Sequence, residues 1–246
     1  MDRRNFLKTG GMVVLGSMAA SSVLRAESLK GAHDASGISS ALNHFGVSQE
    51  DMKKVLAAAL EKGGDYADLF FEHTFNNYVG LQDGAVNRCN SNIDFGVGIR
   101  VLAGDQTGYA YVENVTLKEM LNAARTAARI ATGGKATLPV ALTDKPIKTN
   151  YYSVKMPWEE VILKSKMPYL QRLNDRIFAL DKRVHKVSAS LTDTTSHILF
   201  CNSEGVMYYD YRPMVTLGAV CIMEENGKVE NGYAARAYRM GFEFLN

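Results

Sequence analysis

What most constrains this chain is a series of long period-two alternations broken by hairpin turn pairs. Ala67, Leu69 and Phe71 alternate with Asp68, Phe70 and Glu72, the pattern of a strand with one apolar face. Asp83-Gly84 reads as a tight turn between strands at 78–82 and 85–89, and Asn226-Gly227 as another. Gly104-Asp105 and Ser203-Glu204-Gly205 supply further turns, between strands expected at 93–102, 107–112, 184–191, 196–200, 206–223 and 228–238. Helical periodicity flanks these blocks. Ser48 with Asp51 predicts a capped helix whose stripe is Val55, Leu56, Ala59 and Leu60, ended by Gly63-Gly64. Thr116 with Glu119 opens a second, running through Leu117, Met120, Leu121, Ala124, Ala127, Ala128 and Ile130. Pro157, with Glu159 and Glu160 behind it, predicts a short helix, and Pro168 the start of one carrying Leu170, Leu173, Ile177 and Leu180.

This order predicts an α+β protein: antiparallel sheets with flanking helices, two similar subdomains, and a signal peptide in front. The expected divisions are a signal peptide over 1–26, a flexible lead-in over 27–46, and a first α+β subdomain over 47–134. A linker over 135–156, holding Pro139 and Pro146, then leads to a second α+β subdomain over 157–246. The two subdomains share no residue-level repeat.

The start of the chain reads as an address. Arg3, Arg4, Phe6, Leu7 and Lys8 match the twin-arginine pattern R-R-x-F-L-K, and a diluted apolar run follows from Thr9 to Leu24. At 16 residues that run is shorter than the roughly 20 that span a bilayer, so a cleavable leader is expected rather than a stable membrane anchor. Cleavage after Ala26 would release the chain into the periplasm or another extracytoplasmic space. Four of the 28 basic side chains and one of the 26 acidic ones lie in residues 1–26, so the remainder carries a net charge of −1. No basic face for nucleic acid is expected.

Chemistry-bearing motifs are scarce. The histidines, at 33, 44, 73, 185 and 197, are not followed by Glu, and no two share a helical face, so the helical zinc-protease motif is absent. His73, His185 and His197 read as partly buried strand residues. No G-x-S-x-G elbow is found, and Cys89 has no neighbouring His to activate it. Cys89, Cys201 and Cys221 suit small buried hydrophobes, with a Cys201–Cys221 bridge left open. Tyr208, Tyr209 and Tyr211 read as sheet packing. The candidate substrate-groove residues are Asp94, Gly96, Gly98 and Arg100. The plainer reading of Asp94 and Arg100 is a surface ion pair, and of the strand glycines a bulge or a close backbone approach. The residues alone yield no catalytic and no metal-binding set.

Three runs carry a resemblance: Gly64-Asp65-Tyr66-Ala67-Asp68-Leu69-Phe70-Phe71-Glu72, then Leu81-Gln82-Asp83-Gly84-Ala85-Val86, then Ile93-Asp94-Phe95-Gly96-Val97-Gly98-Ile99-Arg100-Val101. With Thr107-Gly108-Tyr109-Ala110-Tyr111 and Leu117–Ile130 in order behind them, the chain resembles the TldD/PmbA family over most of residues 47–246. It is closer to TldD than to PmbA (TldE). The resemblance implies a zinc metalloprotease, a hydrolase cutting extended or unfolded peptides, and a homodimer or a heterodimer with a PmbA/TldE-like relative. It also implies a later domain with His-Glu-x-x-x-His and a Cys ligand. Gly241-Phe242-Glu243-Phe244 is similar to the Gly-Tyr-Glu stretch that precedes that domain, after which this sequence ends. The expected role is therefore the N-terminal, substrate-side portion of such an enzyme, catalytically incomplete by itself, with zinc belonging to the full-length protein. The alternative is a non-catalytic peptide-binding or dimerisation module that pairs with a catalytic relative. The family's older description as a modulator of DNA gyrase suits a net charge of −1 poorly.

Overall fold

Asp83 and Asn226 take left-handed backbone conformations (φ 51° and 53°), each followed by a glycine at φ 82° and 74°. Two consecutive positive-φ residues match the right-handed twist of the flanking strands, so Asp-Gly and Asn-Gly fix two hairpins. The first joins β1 (Tyr66–Gln82) to β2 (Ala85–Ala103), and β3 (Gln106–Val112) returns along the far end of β2. The second joins β6 (Val206–Glu225) to β7 (Lys228–Tyr238). β4 (Thr143–Asp144) is a two-residue strand, and β5 (Val184–Asn202) pairs with both β1 and β6. The computed structural model describes residues 37–133, 137–147 and 154–245, so the expected signal peptide lies outside the described residues.

The expected α+β class is the observed one, and the strands form a single sheet. Its order is β3-β2-β1-β5-β6, with β4 and β7 sharing the outer edge of β6. Every pairing is antiparallel except that of β4. β1 and β5 run together from Asp68↔Asn202 to Gln82↔Ser188, so strands from both halves of the sequence are hydrogen-bonded along their length.

Among the described residues four α-helices gather on one face, where the odd-numbered side chains of β1, β5 and β6 point. α1 (Ile38–Phe45), α2 (Gln49–Leu60) and α3 (Leu117–Ile130) cover one end. There Met52, Leu56, Leu60 and Met120 pack on Leu69, Phe71, Val97, Ile99 and Leu199. At the other end α4 (Leu163–Leu180) lays Leu170 and Ile177 towards Val79, Leu81, Val187 and Leu191. Each such aliphatic side chain, fully buried, contributes about 1.5–3 kcal/mol. The expected caps are present: Ser48 Oγ accepts from the Asp51 N–H at 3.0 Å, and Thr116 Oγ1 from that of Glu119 at 3.4 Å.

Four details depart from expectation. Residues 38–45, assigned above to a flexible lead-in, form α1, because Ile38, Ala41 and Phe45 make a buried stripe and Gly46 (φ 66°) closes it. The helix expected to open at Pro168 begins at Leu163 instead, with Pro168 inside it. Proline there removes one backbone donor, and burial of Lys166 in the preceding turn holds the start of the helix to the sheet. Cys89, expected as a small buried hydrophobe, is exposed, whereas Cys201 and Cys221 are buried as expected and unbridged. Their partners across the β5–β6 ladder are Met207 and Val187, at opposite ends of the pairing. Part of the expected linker is also tied down, since Val140, Thr143 and Lys145 donate backbone hydrogen bonds to Ser203, Gly205 and Met207.

Candidate functional site

Asp94, Gly96, Gly98 and Arg100 alternate along β2 and so project from the face away from the helices. A Cβ on Gly96 would lie 2.6 Å from the Tyr111 hydroxyl, and one on Gly98 2.6 Å from that of Tyr109. The glycines are therefore the floor under two tyrosine rings, the close approach that strand glycine serves. Tyr111 Oη donates to the Phe95 carbonyl at 3.1 Å. Tyr109 and Tyr111 remain 58% and 50% exposed, so they present usable aromatic surface. Arg100 donates through Nε and Nη2 to Asp68 Oδ2, at 2.9 and 2.6 Å. Those hydrogen bonds and the charge of buried Asp68 raise the guanidinium further above its ordinary value. Asp94 accepts from Asn92 Nδ2 at 3.1 Å and makes no pair with Arg100. The structure thus joins Gly96, Gly98 and Arg100 with Tyr109 and Tyr111 in one strip, while Asp94 sits beyond the end of β3.

A second group lies on the helix side, in the gap between α1–α3 and α4. The β1–β5 register sets His73 directly opposite His197, and the β5–β6 register sets His197 opposite Tyr211. His44, from the last turn of α1, completes the set with Nε2 2.8 Å from His73 Nδ1 and its ring stacked 4.6 Å from His197. His197 Nε2 meets Glu159 Oε1 at 2.5 Å, and its Nδ1 meets the Tyr209 hydroxyl at 2.6 Å. Tyr211 Oη donates to Glu159 Oε2 at 3.4 Å.

Only one proton fits between His44 Nε2 and His73 Nδ1, so this contact forbids both rings from being imidazolium. Burial, then the neighbouring imidazoles, hold His44 and His73 below the usual histidine range, with Glu159 pulling the other way. Burial pushes Glu159 upwards, but its hydrogen bonds from His197 and Tyr211 and the nearby His44 leave it below the usual carboxylate range. Burial first, then Glu159, raises both Tyr209 and Tyr211, so they stay phenols. An ionised Glu159 accepts from His197 Nε2–H, which leaves Nδ1 to accept from Tyr209. The chain Tyr209–His197–Glu159 can therefore hold and pass a proton, without offering a phenolate nucleophile.

Deeper under α4, Lys166 Nζ lies 2.5 Å from Asp193 Oδ2, both side chains 3% exposed or less. Asn77 Nδ2 donates to Asp193 Oδ1 at 2.9 Å, and the ammonium sits 5.4 Å from the centre of the Trp158 ring. This pair ties α4 to the middle of β5.

Neither polar group is visible in single strands, where His73 and His197 each look like a partly buried residue. The available signal was phase: His73 continues the buried phase set by Ala67, Leu69 and Phe71, and His197 that of Leu199 and Cys201. Among the described residues no three His, Cys, Asp or Glu side chains are arranged to hold a metal. Both nitrogens of His197 are bonded, to Glu159 and Tyr209, and His44 Nε2 and His73 Nδ1 are bonded to each other, so the three rings do not converge on a common ion.

Comparison with known proteins matches residues 67–131 to the family described as PmbA/TldA metallopeptidase domain 1, and residues 157–246 to its central domain. A metalloprotease TldD homolog of Haemophilus influenzae is 31% identical over 184 residues, which are 74% of this chain and 38% of that protein. The fold is similar to that of a putative modulator of a DNA gyrase from Thermotoga maritima, with a TM-score of 0.62 at 19% identity, covering 80% of this chain and 44% of that one. It is also similar to TldE from Thermococcus kodakarensis, with a TM-score of 0.54 at 14% identity, covering 77% and 43%. The chain thus spans about two fifths of the length of the curated relatives it matches.

Proposed function

From the chain's membership of the PmbA/TldD metallopeptidase family, we propose that it is the substrate-side region of a zinc peptidase acting on extended peptides. In this reading it presents the peptide, and the metal is held by residues of the longer protein, since the described side chains do not fit one. Export by the twin-arginine route, into the periplasm or an equivalent space, belongs to the same proposal and rests on Arg3, Arg4, Phe6, Leu7 and Lys8.

The observation that carries the reading is the outer edge of β3. Among the described residues this strand pairs only with β2, through Val97↔Val112 to Ala103↔Gln106. The Tyr111 hydroxyl reaches the Phe95 carbonyl from the β3 side, whereas the Asp65 N–H reaches the Leu102 carbonyl from the β1 side. Odd residues of β2 therefore aim their backbone groups towards β3, and Thr107, Tyr109 and Tyr111 aim theirs outward. An extended peptide can add to that edge by main-chain hydrogen bonds, its side chains lying beside the half-exposed tyrosines. Main-chain recognition suits unfolded substrates of mixed sequence.

Hydrogen exchange of the chain with and without excess unstructured peptide tests this. Slowed exchange at Thr107, Tyr109 and Tyr111 is expected. Protection elsewhere, or none, would remove β3 as the substrate edge.

The second reading is a pairing module that forms a dimer with itself or with a TldE-like relative. Residues 85–94 of β2, which among the described residues pair with β1 on one side and with no strand on the other, favour it.

A further inference from the structure

We propose that α1 is an acid-released lid: proton uptake at the His44–His73 contact frees α1 from the sheet, and it swings away about Gly46. The proposal is independent of the peptide reading, which rests on β3.

α1 is held to the sheet in two ways. Ile38, Ala41 and Phe45 form its buried stripe, with the Phe45 ring 5.6 Å from that of Phe71 and stacked 5.8 Å from that of Phe95. The polar hold is His44, through its 2.8 Å contact with His73 and its stacking on His197. At eight residues α1 is too short to persist as an isolated helix, so docking is what keeps it helical. A hinge follows it directly. Gly46, at φ 66°, closes α1, and the Val47 N–H donates to the Leu42 carbonyl at 3.0 Å. Ser48 and Asp51 then cap α2 with their own reciprocal hydrogen bonds. The two helices are therefore capped separately, and α1 can leave without fraying α2.

The hydrogen bond between the rings needs a donor on one and a lone pair on the other, so it cannot survive when both are imidazolium. The titratable groups facing the pair are His197 from β5, Tyr209 and Tyr211 from β6, and Glu159 from the short helix at 158–160. The other neighbours are apolar: Phe75 from β1 and Phe95 from β2 lie against the His73 ring, at 4.3 and 4.9 Å. Glu159 is the one carboxylate among these groups, and its oxygens already accept from His197 and Tyr211. A charge on His44 or His73 thus meets buried surroundings and another imidazole before it meets a counter-ion. Once α1 leaves, both histidines return towards the ordinary value near 6.5. The released form then binds more protons than the docked form, so its population grows as pH falls below that value. His44 is exposed at its outer side, so protons reach the contact from solvent. With Phe45 gone, the rings of Phe71 and Phe95 lose their cover, and acid opens the apolar side of the sheet beside the gap.

Hydrogen exchange of the full chain tests this, with each amide's protection taken relative to its intrinsic rate at the same pH. Between pH 7.5 and 5.5 the protection of residues 41–45 is expected to fall about tenfold or more, since each histidine that regains its ordinary value contributes up to about tenfold. Val79 and Leu191, paired in the β1–β5 ladder, should change little over that range. His44→Gln should flatten the pH dependence of α1 whatever its level of protection, because the amide offers His73 either a donor or an acceptor and does not titrate. A second measurement needs no variant. Nitrogen NMR of histidine-labelled wild type should show coupling across the His44–His73 hydrogen bond at pH 7.5, lost over the range in which α1 opens. Protection of α1 that is flat with pH, or that falls only together with the ladder's, would overturn the proposal. So would a His44→Gln variant that keeps the wild-type slope, or a His44–His73 coupling that persists after α1 has opened. Peptide protection at β3 is read separately, so either proposal can fail without the other.

Discussion

At the scale of single residues, the sheet holds two polar groups, one partly exposed and one buried, that behave differently towards pH and substitution. His44 and His73 are held below their unfolded value near 6.5, so folding favours their neutral forms. Their contribution is complete above that value and is lost as pH falls through the lowered folded values. The urea midpoint is therefore expected to drop between pH 7.5 and 5.5, and replacing both histidines with Asn should flatten that drop. An unchanged slope would contradict the assignment. Lys166 and Asp193 respond to truncation instead. Lys166→Met leaves a buried carboxylate with only Asn77 as partner and should cost about 3–5 kcal/mol, whereas adding Asp193→Leu should recover most of the loss. Equal losses in the single and double variants would show that packing, not charge, holds α4 to β5.

At the scale of elements, the rules of local chemistry carried far. Ser48 with Asp51, Thr116 with Glu119, Asp83-Gly84 and Asn226-Gly227 each act within four residues, so a reader of the sequence can see them whole. Ser48→Ala should cost about 1 kcal/mol in chemical denaturation, because a first-turn N–H loses its acceptor. What escaped the sequence depends on distant partners. Pro168 looks like a helix start by local rules, but Asp193, 27 residues from Lys166, fixes the turn before it. His44 and His73 are 29 residues apart, and His197 joins them only through the β1–β5 register. The candidate strip was half legible. Alternation along β2 puts Asp94, Gly96, Gly98 and Arg100 on one face, but only the β3 register reveals Tyr109 and Tyr111 above the glycines and Asp68 as the partner of Arg100.

At the scale of the whole molecule, two helical packs share one sheet, and the described C-terminal segment folds back on the second. Glu243 accepts from the backbone N–H groups of Lys155 and Met156, and Trp158 Nε1 donates to the Met240 carbonyl at 2.8 Å. The continuous β1–β5 ladder predicts one cooperative unfolding transition, with fluorescence of the single Trp, at position 158, coincident with far-UV dichroism. Two separated transitions would mean that the halves unfold alone. In the proposed reading the edge of β3, uncovered among the described residues, is where the sheet meets a peptide. The direct test of the functional account is fluorescence anisotropy of a labelled unstructured peptide against the wild type and Tyr109→Pro. The Tyr109 N–H points away from β2, so proline there removes an edge donor and spares the ladder. Saturable binding by the wild type, lost in a variant that stays folded, is the predicted result. No binding by the wild type, or equal binding by both, would contradict β3 as the substrate edge.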